Sequence, residues 1–319
     1  MHALHKLHAA EGAGVTLANA FASLPNPRKM RCDAPEAHSR VEALARALSN
    51  DLTLARNQTS YTVHGLFGIF ARADSYELPS GKTRRLPVDY AGVKTSFIYQ
   101  RVCELARAGR VKKVCEVGFN AGLSSLLFLE AAPDARVLSF DLGDMPWSRY
   151  ADRILHSAYP TRFPGVIFGD SAKTISARNR LRPLHCDVVL IDGSKTYDGR
   201  LSSIVDMRNA SRTGAAVFLD EISTRACVDG SLNVHEGNNR CSRKEFWPAV
   251  RAYAHASRAG LLRVRECAWP PKYVDQDGIC VGEFPAASAA HDEPTKGRYT
   301  TLEPDPMLSH TWGGGVIGA

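Results

Sequence analysis

Apolar positions change their period at about residue 110. Val41–Leu54 and Tyr90–Ala108 carry them at helical spacing, the second with Val93, Phe97, Ile98, Val102 and Leu105 on one stripe. From Val111 onward, short β-branched runs alternate with stretches long enough for helices. The runs are Lys113–Val117, Arg136–Asp141, Val166–Asp170, Asp187–Asp192 and Ala215–Asp220. They are apolar without alternation, as strands are when helices cover both faces, so they predict a parallel, doubly wound sheet. A helical stretch from about Lys244 to Arg258 then leads to Leu261–Cys267 and Gly278–Phe284, whose spacing suits an antiparallel hairpin closing the sheet edge. The expected fold is α/β, a mostly parallel seven-stranded sheet with a C-terminal hairpin.

The same pattern divides the chain. Residues 1–39 read as a flexible lead-in punctuated by Leu24-Pro25-Asn26-Pro27, 40–110 as a helical cover, 111–285 as the core, and 286–319 as a disordered tail ending in Gly313-Gly314-Gly315. At 44% apolar and 23% charged residues the composition is globular, which excludes disorder of the whole chain. No apolar stretch is long enough to span a membrane, and Met1–Leu24 lacks a secretory core. A cytoplasmic protein is expected. Glu11 is the one acid in the first 32 residues, which keeps organelle targeting as the alternative. The eight cysteines form no CxxC pair and no zinc spacing, and are expected to be reduced thiols, with Cys115, Cys186 and Cys280 in the core.

The net charge of +7 invites a nucleic-acid reading, but its distribution argues otherwise. Residues 1–110 hold 15 Lys/Arg against 9 Asp/Glu, so the region that carries the candidate chemistry is nearly neutral. A small-molecule substrate is expected, with nucleic acid and membrane disfavoured and a homodimer left open.

In open α/β sheets, ligands bind beyond the carboxyl ends of the strands. All five runs end in or near an acid: Glu116, Asp141, Asp170, Asp192 and Asp220, with Glu221 following the last. Burying carboxylates repeatedly at such positions is costly without a partner. The pattern implies a cationic or hydroxyl-rich ligand. The first strand enters Glu116-Val117-Gly118-Phe119-Asn120-Ala121-Gly122-Leu123-Ser124, a glycine turn opening a helix. This is not GxGxxG, and an acid two places before the first glycine argues against a phosphate. Asp141, 23 residues after Gly118, is placed to accept from ribose hydroxyls.

These motifs, with Gly169-Asp170 and the closing hairpin, resemble the class I S-adenosylmethionine-dependent methyltransferases over about residues 88–284. Ile191-Asp192-Gly193-Ser194-Lys195-Thr196-Tyr197 and Leu219-Asp220-Glu221 are similar to the catechol/caffeoyl-CoA O-methyltransferase branch. The resemblance implies S-adenosylmethionine (SAM) as cofactor. Its methionine end would lie on Glu116, Gly118 and Asn120 with Phe119 and Gly122 of the same turn, and Ser124 would meet its carboxylate. Asp141 would take the ribose, and Asp170 with Ser171 would edge the adenine. Asp192, also near the cofactor, would bind Mg2+ or another divalent cation together with Asp220 and Glu221. Lys195 matches the general base, with Asp192 as its catalytic neighbour. Glu221 stands where that branch commonly carries Asn or Asp.

Methyl transfer from a sulfonium is an in-line displacement, so an enzyme must align the acceptor and remove its proton. A hydroxyl with a pKa near 10 is mostly protonated at neutral pH. A bound dication would lower that value, and a lysine whose own pKa is depressed by burial and metal charge would take the proton. On a solvated turn, Lys195 would instead pair with Asp198. The polar stretch Ile222–Phe246, containing His235, reads as a lid, and Trp147, Tyr150, Trp247, Trp269 and Tyr273 are candidates for an aromatic wall. Transfer to nitrogen without metal and a catalytically silent SAM-binding module remain alternatives. A dinucleotide oxidoreductase is disfavoured by the missing GxGxxG, and base methylation by the missing Asn/Asp-Pro-Pro-aromatic run.

Overall fold

The structure, a computed structural model, describes residues 17–32, 39–48, 76–77, 83–84, 88–145, 147–222, 227, 246–268 and 278–286. The tail after 286, His235 with most of the lid stretch, Trp269 and Tyr273 lie outside the described residues.

Eight helices and seven sheet strands carry the argument. They run α1 (Leu17–Ser23), α2 (39–48), α3 (Val88–Arg107), β1 (Lys113–Val117), α4 (Leu123–Ala131), β2 (Arg136–Asp141), α5 (Ser148–Ala158), β3 (Val166–Phe168) and α6 (Ser171–Leu181). Then come β4 (Cys186–Ile191), α7 (Tyr197–Ala210), β5 (Ser211–Asp220), α8 (Trp247–Arg258), β6 (Arg263–Ala268) and β7 (Ile279–Glu283). A separate two-residue pairing joins Tyr76–Glu77 to Thr83–Arg84.

The sheet order is β3-β2-β1-β4-β5-β7-β6. The first five strands are parallel, in register from Val117↔Phe140 on one side of β1 to Val117↔Ile191 on the other. The last two run antiparallel, as the hairpin spacing predicts. The chain winds outward from β1 to β3, then returns to start again at β4. Between β1 and β4 the two crossovers leave in opposite directions and open a crevice.

Burial on both faces explains the unalternating runs. Val114, Val188, Leu190 and Phe218 pack into one core with residues of α3, α4 and α5. Cys115, Val117, Val189, Ile191 and Val217 face the other core, with residues of α6, α7 and α8. α4 sits deep enough that Leu123 and Ser125–Ala131 are all buried. Most element ends shift by a residue or two from the sequence reading, and two starts shift by more. β5 starts at Ser211 instead of Ala215, because Cys186↔Ser211 pairing precedes an irregularity in the ladder. α8 starts at Trp247 instead of Lys244, with a proline in its first turn, where the missing N–H costs nothing.

The expectation of reduced thiols is overturned. Cys32 bonds Cys103, Cys115 bonds Cys186, and Cys267 bonds Cys280, with Cα–Cα distances of 5.6, 5.8 and 3.9 Å. Cys227 is disulfide-bonded as well, and no cysteine is free among the described residues. Two of the pairs are 71 residues apart in sequence, so local spacing carried no sign of them. The fold makes two of the pairs by placing β1 beside β4 and β6 beside β7, and the third by bringing Cys32 to α3. By chain entropy, closing each 71-residue separation is worth roughly 4 kcal/mol. Protein folded in an oxidising medium is therefore expected to titrate with no free thiol after denaturation. Reduction should lower its thermal midpoint by about 10 °C or more. Eight titratable thiols in the oxidised, folded chain would contradict the pairing.

Candidate active site

The glycine turn after β1 is shaped by its backbone. Gly118 has φ +98°, and a Cβ there would lie 2.5 Å from the carbonyl oxygen of Asp192, so the ends of β1 and β4 touch only because the side chain is missing. Gly122, also left-handed at φ 81°, is the N-cap of α4. Asp141, half-buried, holds the turn from β2. Its Oδ2 accepts from the backbone N–H of Phe119 and of Asn120, both at 2.9 Å, and its Oδ1 accepts from Gly143 at 2.8 Å. A carboxylate offers about four acceptor positions, so one remains on Oδ1. The Phe119 ring turns inward and stacks on Phe163 at 5.7 Å, leaving its backbone as the part at the turn. Asn120 is exposed, left-handed at φ 50°, and accepts from Trp147 Nε1 at 2.5 Å.

Glu116 lies behind the turn, fully buried. Ser124 donates to its Oε1, and Ser125 and Ser139 donate to its Oε2 at 2.5 and 2.7 Å. Burial pushes the carboxyl up to about 7, against the pull of the three hydroxyls. The native state therefore holds this proton more tightly than the unfolded chain. Stability attributable to Glu116 should fall as pH rises from 4.5 to about 7 and level off above, by about 3 kcal/mol in all. Denaturant unfolding of Glu116→Gln between pH 4.5 and 8 should show that much less decline than the parent. An equal decline in both would mean the carboxyl does not titrate in this window.

Beyond the ends of β4 and β5 stands a second cluster. Lys195 Nζ donates to Asp192 Oδ1 and to Glu221 Oε1, each at 2.6 Å. Lys94, from α3, pairs with Asp220. Arg200, from α7 and fully buried, donates to Glu221 Oε2 at 2.8 Å, to the Ile191 carbonyl at 2.6 Å and to the Tyr253 hydroxyl at 2.7 Å. Glu221 is left-handed at φ 70°, uncommon for a residue with a side chain and a frequent mark of functional sites. Burial alone would push the Lys195 ammonium down, but Asp192 and Glu221 outweigh it and hold the group above the ordinary lysine range. The expected depressed lysine is thus replaced by one clasped between two carboxylates, and its partner is not Asp198. Asp192 is pushed up by burial and pulled down harder by Lys195, Lys94 and Arg200, so it stays ionised. Burial and the neighbouring Asp192 charge raise Asp220 and Glu221.

Residues 115–222 match a family model described as "Methyltransferase domain". The match spans about a third of the chain, from β1 to the end of β5. The search of curated proteins finds no match. Among solved structures, cofactor-bound Rv0187 from MTB is similar at 19% identity, covering 59% of this chain and 79% of that one, with a TM-score of 0.46. The O-methyltransferase TomG from Streptomyces achromogenes, in complex with SAM, is similar at 19% identity over 60% and 80%, with a TM-score of 0.45. An O-methyltransferase from Bacillus cereus in complex with SAH shows 12% identity over 78% and 91%, with a TM-score of 0.43.

The crevice beyond the ends of β1 and β4 has three features that bear on a ligand. It offers a turn that a ligand can approach along the backbone, an Asp141 acceptor position for hydroxyls, and exposed apolar Leu142 and Met145 just beyond for a base. Asp170 sits farther out, exposed, capping α6 by accepting from Ala172 N at 3.1 Å, with Ser171 opening that helix. The divalent cation fits less well. Among the described residues no group of His, Cys, Asp and Glu is arranged to hold a metal ion. The reason is local: Asp192, Asp220 and Glu221 each spend an oxygen on a cation of the chain.

Lys94, Arg200, Ser125, Ser139 and Trp147 are site residues that the sequence reading passed over or left without a partner. A signal existed for two of them. Lys94 lies four residues before buried Ile98, and Arg200 four before buried Ile204, so each is a cation on a core-facing helical stripe.

Proposed function

We propose that this chain transfers the SAM methyl group to a hydroxyl of a small-molecule acceptor. The reading rests on one observation above the rest: at the β1/β4 switch point, the Gly118 turn and Asp141 stand beside a half-buried charged pair, Asp192–Lys195. When bound, SAM supplies an electrophilic methyl on a sulfonium. Gly118, Asn120 and Ser124 hold its amino-acid end, with Glu116 positioning the Ser124 hydroxyl. Asp141 takes the ribose, and Asp170 with Ser171 borders the base. Lys195, kept as an ammonium, orients the acceptor oxygen and stabilises charge that develops there. Asp192 Oδ1 holds the lysine, and Asp192 Oδ2 is the position to which the acceptor proton leaves. The general-base role is thereby moved from Lys195 to its neighbour.

Among the described residues no helix is long and apolar enough to cross a membrane. Paired cysteines suit an oxidising compartment better than a cytosol kept reducing by thiols.

Titration calorimetry with SAM and with S-adenosylhomocysteine tests the core of the reading. Micromolar binding of both, lost in Asp141→Ala, is the expected result. A folded protein that gives no heat with either ligand would sink it.

A further inference from the structure

The charge cluster carries a conclusion that the resemblance does not. Asp192, Asp220 and Glu221 meet three cations, Lys94, Lys195 and Arg200, in contacts of 2.6 Å for both Lys195 pairs and 2.8 Å for Arg200–Glu221, together with the Lys94–Asp220 pair. Glu221 is spanned on both oxygens. The carboxylates' side chains are 33%, 8% and 6% exposed, so these are partners in a mostly dry site and not passing surface contacts. Three charges of each sign leave the cluster neutral. A dication needs about six oxygen ligands and would have to enter against two ammonium groups already seated on the oxygens it requires.

We propose that in this chain built-in cations take the place of the divalent ion, and that Lys94 is the residue that makes the site metal-independent. This rests on the methyl-transfer reading above. Lys195, 40% exposed, is the cation that faces an acceptor. Lys94 and Arg200 act through the carboxylates and are positioning residues: Lys94 occupies Asp220, and Arg200 holds Glu221 so that its other oxygen can hold Lys195. Lys94 comes from α3, outside the segment that matches the methyltransferase family. The cover helix therefore completes a site that the core leaves with excess negative charge. With two of its three N–H donors given to Asp192 and Glu221, the Lys195 ammonium has one left for an acceptor, so the acceptor this site favours carries a single reacting hydroxyl and needs no vicinal oxygen.

Manganese binding tests the proposal apart from turnover. Mn2+ titrated into the purified full chain is followed by the electron paramagnetic resonance signal of the free ion. The wild type should leave that signal unchanged at millimolar metal, and prior dialysis against EDTA should leave its SAM affinity and thermal midpoint unchanged. Lys94→Met and the double variant Lys94→Met/Lys195→Met unmask one and two carboxylate charges. They should bind Mn2+ at least tenfold more tightly than the wild type, a gain that mere loosening of the fold does not produce. Stoichiometric Mn2+ binding by the wild type, abolished in Asp192→Asn or Asp220→Asn, would overturn the proposal. Absence of SAM binding, with a silent wild type and Mn2+ binding gained in the Lys94 variants, would instead remove the methyl-transfer reading and leave the cation assignment standing, whereas Lys94 variants as silent as the wild type would overturn it.

Discussion

Gly118→Ala is expected to reduce SAM affinity by more than 100-fold and to destabilise the fold by roughly 2–4 kcal/mol. Two costs act together. The residue sits at φ +98°, where a side chain is strained, and its Cβ would lie 2.5 Å from the Asp192 carbonyl oxygen and 2.7 Å from the carbonyl carbon. Those neighbours are backbone, tied by the Asp192 N–H to the Val117 carbonyl at 2.9 Å, and cannot rotate aside. The ends of β1 and β4 must part, and that displaces the turn on one side and the Asp192–Lys195 pair on the other. Calorimetry with SAM and a denaturant melt read the two effects separately. Affinity within threefold of the parent would show that the turn does not meet the cofactor.

The sheet was legible because the physics that builds it is local. Five unalternating apolar runs can be buried on both faces by helical crossovers, and each run ends in or near an acid whose burial is costly without a partner. The doubly wound sheet and its edge hairpin followed. Asp141 reached the glycine turn, and Asp192, Asp220 and Glu221 came together as their strand-end positions imply. Contacts between distant residues were not legible. Cys115 and Cys186 look like two small apolar residues until β1 and β4 are neighbours. Lys195 had Asp198 three residues ahead as its obvious partner. Asp198 instead sits in the first turn of α7, while Lys195 reaches back over the end of β4 to Asp192 and across to Glu221 at the end of β5. The ionisation state of the lysine follows from that second carboxylate, which no spacing rule supplies. Lys94 and Arg200 were passed over although each is a charge on an apolar stripe, and the stripe would not have named the carboxylate at its far end.

Replacing Lys195 separates an orienting cation from a proton acceptor. Lys195→Met is expected to lower kcat by about 10^3-fold, with SAM affinity within a few-fold of the parent, because the ammonium acts on the acceptor oxygen and not on the cofactor. If its positive charge is what matters, Lys195→Arg should recover a tenth or more of the parent kcat. A guanidinium keeps the charge and the bidentate reach to Asp192 and Glu221, although its planar fork places the charge differently. If the lysine were the proton acceptor, Arg would be as inactive as Met, since a guanidinium is never deprotonated in this range. The pH profile gives a second reading. Asp192 is held below, and Lys195 above, its ordinary value, so between them the pair stays ionised across neutral pH. Activity limited by this pair should be flat from about pH 6 to 9, falling on the acid side as Asp192 protonates. Activity that rises tenfold per pH unit through pH 9, together with an inactive Lys195→Arg, would return the base to Lys195 and the orienting role to some other group.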